Sequence, residues 1–300
     1  MALIPFDDRD GLIWYDGRMV PWRDASLHVL SHGLHYASGV FEGERAYAGN
    51  IFKLRAHTDR LINSARILGM EIPYSAEQID AACREVVVAN GLNDAYVRPL
   101  AWRGSEQLSV SAQQTTVHLI VATWAWPNLF GDARMQGVSL DIAYWRRPHP
   151  QTAPTASKAA GLYMIGTMAK HAAEEAGYND ALMLDWEGNL AEATGANMFM
   201  VIDGDLHTPT PTCFLDGITR RTVMALARNH QMKVVERTIA VEELARASEV
   251  FLAGTAAEVT PVRQIGQHHY TLEPITQTLL ADYAKLVQME PSDVERLAPI

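Results

Sequence analysis

Lys158 is one of five lysines in this chain, and arginine carries most of the positive charge. It sits in Pro154-Thr155-Ala156-Ser157-Lys158-Ala159-Ala160-Gly161-Leu162-Tyr163, a stretch of small residues with room for something bulky beside the amine. A partly desolvated lysine loses its proton more easily, and the free amine can form a Schiff base with a carbonyl carbon. Pyridoxal phosphate (PLP) is the commonest protein-bound aldehyde to use such an amine. An ordinary loop lysine before a helix is the plainer reading of the decapeptide alone.

Other residues could serve the same chemistry. Phosphate is held by backbone amides and hydroxyls at helix starts, where the dipole favours negative charge. Asp216-Gly217-Ile218-Thr219-Arg220 and Gly254-Thr255-Ala256-Ala257-Glu258 each set Gly close to Thr at the opening of a turn or helix. Arg55 could add a guanidinium clamp, although a lone arginine is more often a surface ion-pair residue. A PLP ring also needs an acid near its pyridine nitrogen. Glu192, among Ala and Gly in Asn189–Asn197, suits that role better than the solvated Glu174-Glu175 pair. His28, His32 and His35 would align on one helical face like metal ligands, but no neighbouring Glu supplies a hydrolytic base, and no metal site is expected.

These residues need elements to position them. Leu12–Tyr15, Asp16-Gly17 and Arg18–Trp22 predict a hairpin. Phe41–Tyr47 and Ile51–Leu54 predict a second around Gly49-Asn50. His57–Leu68 reads as a helix, and Ser75-Ala76-Glu77-Gln78 as a capping box opening another that runs to Gly91. Strands follow over Ala95–Ala101 and Thr115–Trp124. A turn-prone crossover occupies 126–134, dividing a smaller subdomain (1–125) from a larger one (135–300). The larger part reads as a strand over Val138–Trp145, a Pro-rich loop, and a helix over Gly161–Gly177. After these come a four-strand meander and a helix over Ile218–His230. A strand over Lys233–Arg237, a short helix, strands Glu249–Ala253 and Val259–Gln264, and a last helix over Glu273–Met289 complete it. The interleaving lacks strict βαβ alternation, so the expected class is α+β with two subdomains.

The ordered motifs carry a resemblance. His35-Tyr36 with Val40-Phe41-Glu42-Gly43, Tyr96-Val97-Arg98-Pro99, Pro154–Lys158, Gly195-Ala196-Asn197-Met198-Phe199, Gly217–Arg220, and Ser248–Phe251 through Gly254–Pro261 follow one another at family-like spacing. The chain resembles the branched-chain amino acid aminotransferases, PLP enzymes of fold type IV. The resemblance implies that Lys158 is the Schiff-base lysine and proton shuttle, that Glu192 pairs with the pyridine nitrogen, and that Tyr163 bonds the ring hydroxyl. It assigns the phosphate to Arg55, Ile218, Thr219 and Thr255. The substrate carboxylate falls to Tyr96, Thr255, Ala256 and Ala257, and the glutamate side chain to Arg98, with Tyr36 and Phe41 lining the pocket. Alternation puts Tyr96 and Arg98 on one strand face.

The implied reaction moves an amino group between leucine, isoleucine or valine and 2-oxoglutarate. Two departures bear on substrate range: the Gln107–Val110 loop is less glycine-rich than in better-known members, and Leu129 stands where many carry tyrosine. A D-amino acid or (R)-amine transaminase, or an aminodeoxychorismate lyase, shares the fold and stays open as an alternative. The family places its sites at a subunit boundary, so a homodimer or higher homo-oligomer is expected. A formal charge of −10 without a basic stripe argues against nucleic acid. The absence of a long apolar run or of a hydrophobic segment over Met1–Arg9 argues against a membrane, and with two distant cysteines points to the cytoplasm. The acidic stretch Glu290–Glu295 has no assigned role.

Overall fold

The computed structural model describes residues 4–126 and 136–300. Leu129 and the expected crossover beyond Trp126 lie outside them. The chain divides into two compact units, Met1–Trp126 with Ser157–Gly161, and Pro127–Ala156 with Leu162–Ile300. The pentapeptide bearing Lys158 therefore belongs to the first unit although it lies in the second half of the sequence.

The first unit is built on a seven-stranded antiparallel sheet. Its elements are β1 (Leu12–Tyr15), β2 (Arg18–Pro21), α1 (His32–Tyr36), β3 (Gly39–Phe41), β4 (Glu44–Tyr47), β5 (Asn50–Ile51), α2 (Leu54–Ile67), α3 (Ala76–Ala89), β6 (Ala95–Arg103) and β7 (Val117–Ala125). The strand order is β2-β1-β7-β6-β4-β5, with β3 also paired to β6. The buried residues of α2 and α3, including Leu61, Ala65, Ile79, Cys83 and Val86, pack with Ala46, Val97 and Leu119 into one core. The capping box at Ser75 forms in full: Ser75 Oγ accepts from the Gln78 N–H at 3.3 Å, and Gln78 Oε1 accepts from the Ser75 N–H at 2.8 Å. Helix α2 begins at Leu54, three residues before the expected start, because Lys53 takes left-handed backbone (φ 54°) and turns the chain straight from β5 into the helix.

The second unit holds β8 (Val138–Ile142), α4 (Met164–Glu175), β9 (Asp180–Leu184), β10 (Leu190–Ala193), β11 (Asn197–Ile202), β12 (Asp205–Pro209), α5 (Ile218–Asn229), β13 (Val234–Arg237), β14 (Glu249–Gly254), β15 (Glu258–Ile265), β16 (His268–His269), α6 (Pro274–Leu286) and α7 (Pro291–Leu297). Its nine-stranded sheet runs β10-β9-β8-β15-β14-β11-β12-β13, with β16 on β15. A further pairing of β10 with β11 closes the first six strands on themselves. β8 pairs in parallel with β9 and β15, as β12 does with β13. Met198, Met200, Leu252 and Val262 are among the buried residues of one hydrophobic core in this unit. The acidic stretch near the C-terminus forms α7, with Pro291 in its first turn, where a missing N–H leaves no intrahelical bond unmade.

Candidate active site

Lys158 is fixed by its backbone. Its N–H donates to Ser64 Oγ on α2 at 3.0 Å, its carbonyl accepts from the Phe41 N–H at 3.2 Å, and the next residue, Ala159, bridges to Val40 on β3. Ser157 Oγ donates to the Ser64 carbonyl at 3.0 Å. The half-buried side chain places Nζ 5.3 Å from the centre of the Phe41 ring. The same ring lies 4.7 Å from the Arg98 guanidinium carbon. Arg98 Nη2 donates to the Tyr96 hydroxyl at 3.1 Å, so the alternation along β6 does bring the two side chains together. Arg98 Nε is buried without a hydrogen-bond partner. Tyr96 is buried and packs against Trp124 and Trp126, with ring centres 5.0 and 4.6 Å away. One phenylalanine thus carries an amine and an incompletely paired guanidinium, an arrangement suited to a small amino acid with a carboxylate.

The position of the phenol depends on Gly43. A Cβ built there would lie 2.0 Å from the Tyr96 oxygen. Beneath β3 and β4, the buried Glu42 accepts from Arg60 through both oxygens, at 2.7 and 2.8 Å, and from His57 Nδ1 at 2.7 Å. Burial opposes the ionised form of Glu42, but the Arg60 charge and the hydrogen bonds hold its carboxyl well below the usual range. Burial lowers the His57 pKa against the opposing pull of Glu42, with a smaller lowering from the Lys158 charge. Arg60, four residues before Ser64 on α2, was missed by the sequence reading. The signal available was an arginine on the same helical stripe as His57 and Ser64. Arg55 lies elsewhere on the helix, 46% exposed, with ion pairs of 2.9 Å to both Glu77 and Asp80.

Tyr36 is exposed and stacks on His32 at 4.5 Å. The three histidines do not share a helical face, because α1 begins at His32 and leaves His28 outside it. Each ring has its own hydrogen-bond partners: His28 the Leu30 N–H, His32 Ser38 Oγ and the distant Ser109 carbonyl, and His35 the Val29 carbonyl.

The second unit gathers a different set. Glu192, on β10, is buried. Arg147 Nη2 lies 2.7 Å from Oε1, and Asn197 Nδ2 donates to Oε2 at 3.1 Å. Arg147 was read only as part of a Pro-rich loop. Ile218 and Thr219 open α5, where the N–H groups of the first turn have no intrahelical acceptor. Thr255, Ala256 and Ala257 form the turn between β14 and β15. This turn is packed close to the β10–β11 corner: a Cβ on Gly254 would lie 3.1 Å from Ala196 Cβ and 3.3 Å from the Gly195 carbonyl. On the other flank, a Cβ on Gly217 would lie 2.2 Å from Asn197 Oδ1. A buried acid thus neighbours two glycine-bordered sources of backbone N–H, a set that fits a protonated heterocycle bearing a phosphate. Tyr163, half-buried, ends a 3-10 turn (Ala160–Tyr163) and accepts from Thr167 Oγ1 through its carbonyl at 3.2 Å.

A lysine amine, and an acid beside phosphate-type donors, are what a PLP-dependent aminotransferase needs. The family model for amino-transferase class IV matches residues 39–265, and the chain belongs to that family. Its relatives narrow the class. It is 44% identical over 288 residues to the branched-chain-amino-acid aminotransferase of Pseudomonas aeruginosa, covering 93% of this chain and 94% of that one. Among solved structures, it superposes with a TM-score of 0.91 on the branched-chain aminotransferase of Thermoproteus uzoniensis with norvaline, at 36% identity and 96% and 98% coverage. The TM-score is 0.91 also for the branched-chain amino acid aminotransferase of Escherichia coli, at 35% identity and 94% and 97% coverage. A further branched-chain amino acid aminotransferase, complexed with N-(5′-phosphopyridoxyl)-L-glutamate, matches with the same score at 38% identity. The fold is thus the α+β, two-domain fold type IV, and its cofactor is PLP.

Proposed function

We propose that the protein transfers the amino group of leucine, isoleucine or valine to 2-oxoglutarate, giving the branched-chain 2-oxo acid and L-glutamate. The observation that carries this reading is the Phe41 ring shared by Lys158 Nζ and the Arg98 guanidinium. PLP, when bound, supplies the carbonyl that takes the amino group and the ring that draws electrons from the substrate alpha carbon. Lys158 moves the proton at that carbon, its backbone held still by Ser64 and Phe41. Glu192 holds the proton on the pyridine nitrogen, and Tyr163 bonds the ring hydroxyl. Ile218, Thr219 and Thr255 hold the phosphate. We assign their guanidinium partner to Arg60, which shares the helical stripe of Ser64, in place of Arg55, whose side chain is far more exposed. Tyr96, Ala256 and Ala257 orient the substrate carboxylate. Arg98, with its unpartnered Nε, receives the side-chain carboxylate of glutamate, and the face of Phe41 accepts a branched aliphatic chain.

The same reading includes a homodimer or higher homo-oligomer. Leu27, Val29, Leu30, Leu34 and Tyr36 are exposed along α1 and the segment before it, and Leu108 and Val110 are exposed on the loop whose Ser109 carbonyl bonds His32. Apolar exposure of this extent suits burial against a second copy, with Tyr36 serving the partner's site. We place the protein in the cytoplasm, where thiols such as Cys83 and Cys213 stay reduced. No helix of the described residues is long and apolar enough to cross a membrane.

Lys158→Ala tests the assignment. The variant should fold with the wild-type circular dichroism spectrum and lose leucine:2-oxoglutarate turnover by at least about a thousandfold. Wild-type turnover from that variant refutes the assignment.

A further inference from the structure

Glu192 and Asn197 are the Cα partners through which β10 pairs with β11, and the Ala193 N–H donates to the Ala196 carbonyl at 2.8 Å inside that corner. The Asn197 carboxamide is 5% exposed and used at both ends. Nδ2 donates to Glu192 Oε2 and to the Leu215 carbonyl, each at 3.1 Å. Oδ1 occupies the space that a side chain on residue 217 would need, since a Cβ there would meet it at 2.2 Å. Gly217 caps α5 with φ −63° and ψ 140°, backbone that any residue adopts. Glycine is required here by space alone.

Neither side of this contact yields readily. Glu192 is held through its other oxygen by Arg147. The start of α5 is held by the fully buried Arg220, which reaches Asp216 and Glu236 at 2.7 Å and the Pro209 carbonyl at 3.1 Å. A displacement at residue 217 therefore has Asn197 in its path, and Asn197 carries it to Glu192.

We propose that Asn197 is a positioning residue that ties Glu192 to the start of α5, so that the acid at the pyridine end and the amides at the phosphate end of the cofactor seat are set as one unit. This rests on the reading of both groups as a PLP seat. A carboxamide that merely closed the strand pair would leave the two ends independent.

The test is a double-mutant cycle on PLP affinity. Apoprotein of the wild type, Gly217→Ala, Asn197→Ala and the double variant would be titrated with PLP and, separately, with pyridoxal, which lacks the phosphate. The apoprotein melting temperature would be recorded for each. Gly217→Ala should weaken PLP by about tenfold or more, and should weaken pyridoxal as well although the change is at the phosphate end. The double variant should bind no more weakly than Asn197→Ala alone, because the atom that the new Cβ meets is gone. Should Gly217→Ala fail to accumulate, recovery of folded protein in the double variant is the expected result, and its failure overturns the proposal. Additive losses, or a pyridoxal affinity untouched by Gly217→Ala, also overturn the coupling. A wild-type apoprotein that binds no PLP would instead overturn the cofactor seat itself.

Discussion

Glu44 opens β4 with its side chain fully buried, where the thiol of the buried Cys83 lies against its carboxyl and no cation pairs with it at salt-bridge distance among the described residues. Burial, together with the charges of Glu42 and Asp80, raises its pKa well above 4.5, and the Arg60 charge offsets this only in part. Glu44 therefore holds its proton to a higher pH in the folded protein than in the unfolded chain. A folded pKa raised above the unfolded one gives stability that is complete below about pH 4.5 and lost as pH rises towards the folded value. Between the unfolded and the folded pKa the loss runs at up to about 1.4 kcal/mol per pH unit from this one group. Glu44→Gln keeps the shape and removes the titration. Urea unfolding of both holoproteins at pH 5, 6 and 7, at one protein concentration, should show the glutamine variant gaining on wild type with every step upward. Parallel pH dependences, or a glutamine variant that loses ground as pH rises, would mean that Glu44 is ionised and paired in the folded state, and the reasoning fails.

Gly43→Ala should push the Tyr96 hydroxyl away from Arg98, since the added carbon would lie 2.0 Å from it. Turnover should fall by about tenfold or more, with PLP affinity, read by fluorescence titration, unchanged. Arg60→Ala should weaken PLP and lower the melting temperature, because the buried Glu42 would lose its guanidinium and keep His57 and the Gly43 N–H, a ring and an amide without a fixed charge. Arg55→Ala should leave PLP affinity within about twofold of wild type, its guanidinium being an exposed ion-pair group. Equal effects of the two arginines on affinity would return the phosphate to Arg55.

Features coded locally were legible in the sequence. The Ser75 capping box, the Asp16-Gly17 hairpin and the period of α3 each depend on residues a few positions apart, and the structure carries all three. The shared face of Tyr96 and Arg98 followed from strand alternation in the same way. What escaped depends on distant partners. Arg147 lies in a loop 45 positions before Glu192, and no local pattern joins them. Arg55 and Arg60 occupy one helix, and only the packing of α2 shows that Arg60 faces the buried Glu42 while Arg55 turns to Glu77 and Asp80. The i, i+4, i+7 spacing of the histidines suggested a common face, but spacing acquires that meaning only inside a helix, and α1 starts four residues after His28. Helix α2 began early because a left-handed lysine, residue 53, is a turn that composition does not announce.

The half-reaction tests the central claim most directly. Purified protein carrying PLP would be mixed separately with L-leucine, L-glutamate, D-alanine and (R)-1-phenylethylamine, following the visible absorbance of the cofactor. Fast bleaching by L-leucine and by L-glutamate, with the other two slower by about a hundredfold or more, is the expected result. Bleaching by D-alanine or the amine in place of the two L-amino acids would contradict the assignment of Arg98 and Phe41 to a branched-chain and glutamate pocket.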